Sequence, residues 1–85
     1  MKYRTIFDPP AQAEFRALPR RIAMSILRKL AELEQDPYAF GTTALVGDPR
    51  VRRLRVGDYR VFYEVRGDEL VVWVVHVAHR STAYD

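Results

Sequence analysis

The chain has 85 residues, of which 48% are hydrophobic and 29% charged, with a net charge of +3. That composition describes one folding domain, residues 1–85, and excludes both a disordered chain and room for a second core. The lack of cysteine excludes disulfides and a thiolate-held metal. MKYRTIFDPP has no apolar leader core, and the longest apolar run, Leu70 to Val75, is too short to cross a bilayer. A cytoplasmic protein without membrane contact is therefore expected.

In chain order, Lys2 to Phe7 reads as a short strand, rich in Tyr, Thr, Ile and Phe. Asp8-Pro9-Pro10 reads as a helix start, with Asp8 at the N-cap and Pro9 in the first turn. Ala11, Phe15 and Leu18 follow on one stripe. Pro19 ends this helix and opens a longer one, whose apolar stripe is Ile22, Ile26, Leu30 and Leu33 and whose end falls near Asp36-Pro37. Arg20 and Arg21, in its first turn, oppose the helix dipole at about 0.3–1 kcal/mol each and read as tolerated on a solvated face. Tyr38 to Pro49 reads as a loop, punctuated by Gly41, Gly47 and Pro49. Three strands follow: Val51 to Val56, Tyr59 to Val65 and Glu69 to Val77, joined by tight turns at Gly57-Asp58 and Arg66-Gly67-Asp68. The predicted order is β-α-α-β-β-β, an α+β fold with a helical hairpin on one face of a small, mainly antiparallel sheet.

The other sheet face is then open, and strand alternation says what it carries. Tyr59, Val61, Tyr63, Val65, Leu54 and Val56 point to the core; Arg53, Arg55, Arg60, Phe62 and Glu64 point away; Arg52 falls on the core side, at the strand's edge. Residues 50–66 hold six arginines against Asp58 and Glu64, leaving this segment at +4 and the rest of the chain at −1. Such a patch fits a polyanionic partner. Arginines lying along an exposed sheet face fit it equally. Trp73 and Phe15 read as core, and His76, inside LVVWVVHV, reads as a satisfied interior histidine.

LRVGDYRVFYEV, followed by VAHRSTAY, with FDPPAQAEFRALP and LVGDP earlier in the chain, resembles the RelE/ParE superfamily of bacterial toxins. The resemblance covers nearly the whole chain. It implies a RelE-like toxin domain, a cognate antitoxin as partner and no cofactor or metal. For the favoured RelE-like branch it implies ribosome-dependent, metal-independent cleavage of mRNA. For the ParE-like branch it implies inhibition of DNA gyrase without nuclease activity. A third possibility is a degenerate member that binds only antitoxin and operator DNA. The RelE-like pattern maps onto Arg53 and Arg55, Arg60 of DYR, Arg80 of HR, and Tyr84. It departs at Val51 and Val46, which stand where that pattern carries basic residues; no lysine follows Lys29.

Metal-free RNA cleavage needs a base for the 2′-hydroxyl, an acid for the leaving 5′-oxygen and positive charge around the phosphate. On the resemblance, Arg60 and Arg80 grip the phosphate, Arg52, Arg53 and Arg55 the RNA backbone, and Tyr84 stacks on a base or else covers the core edge. Phe62 is placed to meet a base or an antitoxin segment. Arginine is too basic to accept the proton. His79, beside Arg80 at the end of the last strand, is the candidate base or else merely packs or caps the strand end; His76, Glu64 and Tyr84 stand behind it, and Glu64 also reads as an arginine's ion-pair partner.

Overall fold

Three prolines and three positive-φ glycines set where the elements of this chain begin and end. The computed structural model describes residues 2–39 and 41–82. Its elements are β1 (Arg4–Phe7), α1 (Pro9–Arg16), α2 (Arg20–Gln35), β2 (Thr42–Leu45), β3 (Asp48–Val56), β4 (Tyr59–Arg66) and β5 (Val71–His79). Asp8 takes the extended N-cap conformation ahead of Pro9 and Pro10, whose fixed φ suits a first helical turn. Pro19 does the same for α2, and its carbonyl accepts from Ala23 N–H at 3.0 Å.

The sheet order is β1-β5-β4-β3-β2, with β1 parallel to β5 and every other pairing antiparallel. One strand more is present than the sequence predicts. Within the expected loop, Thr42 to Ala44 pair with Leu54 to Arg52, and β3 starts at Asp48 rather than Val51. Gly41 (φ +95°) and Gly47 (φ +92°) read as loop signals, yet they are the turns that bound this short strand.

α1 and α2 cover one face. Ile26, Leu30 and Leu33 are each at most 2% exposed and pack with Ala11, Leu54, Val56, Val61, Tyr63, Val72, Val74 and Val77. Burying each large aliphatic side chain contributes about 1.5–3 kcal/mol. The C-terminal end of α2 also covers the outer edge of β1. Thr5 N–H and Oγ1 donate to Glu34 Oε2 at 3.1 and 3.0 Å, and Tyr3 N–H donates to the Glu34 carbonyl at 2.8 Å. An open strand edge is thereby occupied. Arg20 and Arg21 are solvated, as expected. No helix among the described residues is long and apolar enough to cross a membrane.

Two readings of β5 are corrected. Trp73 does not belong to the core; it lies opposite Glu64 on the open face, under the Arg66 guanidinium at 4.1 Å from the ring centroid. His76 is not interior either. The β4–β5 register shifts between Phe62 and Tyr63, which pair with His76 and Val74, so β5 carries one extra residue there. This bulge reverses the alternation, putting His76 beside Phe62 on the open face and Val77 in the core.

Candidate functional site

The register of the three central strands lines up the arginines. Arg53 lies opposite Phe62, which lies opposite His76; Arg55 lies opposite Arg60, which lies opposite Ala78. Arg53, Arg55 and Arg60 therefore share the open face, as strand alternation predicts. Arg55 is exposed, whereas Arg60 is only 6% exposed and its Nη1 donates to the carbonyls of Tyr59 (3.2 Å) and Gly57 (3.4 Å). Like charges directly opposite on neighbouring strands repel, so this end of the face favours anions.

Arg80 reaches the same end by a backbone latch. Its N–H donates to the Asp58 carbonyl at 2.7 Å, and its Nε lies 3.7 Å from Asp58 Oδ1, with both side chains about two-thirds exposed. The chain then turns at residues 79–82, Thr82 N–H donating to the His79 carbonyl at 2.9 Å. Thr82 ends up lining the open-face cavity. Tyr84 lies outside the described residues.

His79 is the last residue of β5 and pairs with Tyr59, on the face opposite to Arg60; their rings meet edge-on at 5.1 Å. Ser81 N–H points at His79 Nδ1 from 3.2 Å, and Ser81 Oγ lies 2.9 Å from the same atom. A backbone N–H can only donate, so we assign the Nδ1 lone pair to Ser81 and the proton of the neutral ring to Nε2. In that tautomer the free nitrogen is a donor.

Arg52 is on the helical face too, where it supports a loop. Its Nη2 donates to Thr42 Oγ1 (3.0 Å) and the Thr42 carbonyl (3.3 Å), and its guanidinium lies 5.0 Å from the Tyr38 ring centroid. Beside it, Tyr63 Oη donates to the Pro37 carbonyl at 2.6 Å. Burial pushes the Tyr63 phenol above its usual value, opposed in part by Thr42 and Arg52. This cluster anchors the segment leading into β2, and β2 in turn places Thr43 opposite Arg53.

Next to the arginines lies an open cavity of about 430 Å³, walled by Leu45, Val46, Val51, Phe62, Val75 and His76. Phe62 is buried there, its ring nearly parallel to that of His76 at 5.7 Å. Across the strand edge from α1, Glu14 Oε2 lies 2.7 Å from His76 Nδ1, and Glu14 Oε1 accepts Val77 N–H at 2.9 Å. β1 pairs with β5 only as far as Val74, so Glu14 takes over an edge that β1 leaves uncovered. Glu64 pairs with Arg66 (3.4 Å), as one of its two readings anticipates. His76 and Glu14 were not legible as a pair, because nothing in an apolar strand announces a bulge. Among the described residues no group of three or more His, Asp or Glu side chains is placed to hold a metal ion.

Comparison with known proteins gives this geometry a family. The family model described as the ParE toxin of the type II toxin–antitoxin system, parDE, matches residues 5–84. Among solved structures, an arginine-substituted E. coli toxin RelE in complex with an antitoxin RelBc peptide superposes with a TM-score of 0.83 at 30% identity, covering 100% of this chain and 87% of that one. The E. coli RelBE toxin–antitoxin complex matches at 27% identity and TM-score 0.83, over 98% of this chain and 99% of that one. The archaeal RelE–RelB complex from Pyrococcus horikoshii matches at 27% identity and TM-score 0.80, over 98% and 100%. No curated protein sequence matches the chain. With a family model spanning almost its whole length and RelE structures sharing its fold, this chain belongs to the ParE toxin family of type II toxin–antitoxin systems, within the RelE/ParE superfamily.

Proposed function

We propose that this toxin is a ribosome-dependent mRNA endoribonuclease that acts in the cytoplasm and is silenced by a cognate antitoxin. The observation that carries the reading is the gathering of Arg55, Arg60 and Arg80 at one end of the open face, with Arg53 one step along β3. Arginine forks bind phosphate oxygens in pairs and hold positive charge where the pentavalent phosphate develops it. Arg60 and Arg80 take the scissile phosphate; Arg53 and Arg55 take the neighbouring backbone. The adjoining apolar cavity, with Phe62 in its wall, receives a base of the bound mRNA. Tyr84 remains a candidate for stacking. Arg52, turned to the helical face, contributes by fixing the segment before β2. The RelE relatives solved with RelB supply the precedent for an antitoxin partner.

Primer extension on an mRNA in cell-free translation tests the reading. Wild-type protein cuts within ribosome-bound codons, and an Arg60→Ala/Arg80→Ala double variant does not. Intact mRNA with folded wild-type protein overturns it. The match to the ParE family model favours one second reading, inhibition of DNA gyrase without nuclease activity. In that case a supercoiling assay with purified gyrase shows inhibition while the mRNA stays whole.

A further inference from the structure

We propose that His76, held by Glu14, is the general base of this nuclease and that Glu14 is its positioning residue; the assignment rests on the nuclease reading above. Three observations converge. The β5 bulge turns His76 out of the core and onto the face that carries Arg53, Arg55 and Arg60. Its ring lies against Phe62 and lines the apolar cavity. Its Nδ1 faces a carboxylate at 2.7 Å, and that carboxylate is itself fixed by Val77 N–H at 2.9 Å.

The tautomer follows from these partners. A carboxylate only accepts, so in the neutral ring Nδ1 carries the proton and Nε2 keeps its lone pair. His79, whose Nδ1 accepts from Ser81 N–H, has the opposite arrangement and stands on the opposite face. Of the two histidines, His76 is the one with a free basic nitrogen on the arginine side. The position also suits the chemistry. His76 and Arg60 lie on adjacent strands, two residues apart along β5, which places their Cα atoms about 8 Å from each other. That spacing suits a 2′-hydroxyl–phosphate unit once the Arg60 guanidinium turns from the Gly57 and Tyr59 carbonyls toward His76.

In the step itself, His76 Nε2 takes the 2′-hydroxyl proton as the 2′-oxygen forms its bond to phosphorus. The P–O5′ bond breaks, and the 5′-oxygen leaves with its electron pair and takes a proton from solvent. The products are a 2′,3′-cyclic phosphate and a 5′-hydroxyl, and the proton on the imidazole returns to water. From the elements packed around it, His76 faces Glu14 of α1, Phe62 of β4, Leu45 and Val46 at the β2–β3 turn, and Thr82. Glu14 is the titratable group in contact with it among the described residues.

The test is single-turnover cleavage of mRNA on programmed ribosomes, measured across pH, with thermal unfolding of each variant alongside. His76→Gln slows cleavage by ~10²–10⁴-fold and removes the rise of rate with pH that a histidine base imposes, with an unchanged melting temperature. Glu14→Gln, whose amide still accepts Val77 N–H but forces the other tautomer, slows cleavage by ~10–100-fold. Imidazole added to His76→Ala restores part of the rate. A His76→Gln protein that cuts within about threefold of wild type, or that slows while keeping the wild-type pH profile, overturns the assignment and leaves the nuclease reading standing. Wild-type protein that leaves the mRNA whole overturns both.

Discussion

Tyr63→Phe separates the buried hydroxyl from the ring that carries it. Tyr63 is fully buried, and its Oη donates to the carbonyl of Pro37, a residue that is itself buried. Phenylalanine keeps the ring, so the cavity contribution is small, but the Pro37 carbonyl is left unpaired at a cost of about 1–3 kcal/mol. For a chain of this size each kcal/mol corresponds to a fall in melting temperature of about 4–8 °C. Urea unfolding reports the same loss as a lower midpoint with unchanged slope. The pH dependence adds a second reading. Burial raises the folded-state phenol above its usual 10.0, so the folded state keeps a proton that the unfolded chain loses first. The stability tied to that proton is whole below pH ~10 and is lost as pH climbs through the folded-state value. The difference between wild type and Tyr63→Phe therefore stays constant up to pH ~10 and narrows above it; the other tyrosines cancel in the difference. A melting temperature within about 1 °C of wild type, or a difference that widens in alkali, refutes the role given to this hydroxyl.

Other perturbations sort by burial. Arg80→Ala removes an exposed pair with Asp58 and changes stability by less than ~0.5 kcal/mol, whereas Arg60→Ala strips a buried donor from two carbonyls and costs about 1–3 kcal/mol. Both lose cleavage in primer extension, so the Arg60 result counts only at a temperature where melting curves prove the variant folded. Leu30→Ala, at a site 2% exposed, costs about 2–5 kcal/mol in chemical denaturation. Gly57→Ala meets open space but must hold φ +58°, so denaturation registers a purely conformational loss of about 1–2 kcal/mol. Val46→Lys, at a side chain 98% exposed, leaves stability within ~0.5 kcal/mol and steepens the salt dependence of binding to single-stranded RNA by about 0.7 in log–log slope.

The helices were legible because their signals are local. Prolines mark both starts, and the Ile26–Leu30–Leu33 stripe keeps its period to the end. Facing on β3 and β4 was legible too, since unbroken alternation there puts Arg53, Arg55 and Arg60 together. Two features were not. β2 is four residues between positive-φ glycines, and its strand character comes from pairing with β3 rather than from its own sequence. The extra residue in β5 leaves no mark on an all-apolar run, so alternation counted from Val74 sends His76 inward and misses the Glu14 contact 62 residues away in sequence. The burial of Arg60 was equally hidden, because sequence reveals which face an arginine occupies but not how closely its neighbours fold over it.

Those hidden features bear on how the face divides its labour. Val46 and Val51 form walls of the cavity beside Phe62 and His76. Charge is thus withdrawn from one half of the face and concentrated at the other, where Arg55 and Arg60 oppose each other next to the Arg80–Asp58 latch. A ligand satisfying both halves must be anionic at one end and flat or apolar at the other. A nucleotide meets that demand with its phosphate and base; an acidic protein segment meets it with a carboxylate and a large apolar side chain. On the proposed reading, the same partition lets one surface hold a substrate and accept the segment that blocks it. That reading predicts that an antitoxin seated there competes with RNA for the same arginines and the same cavity.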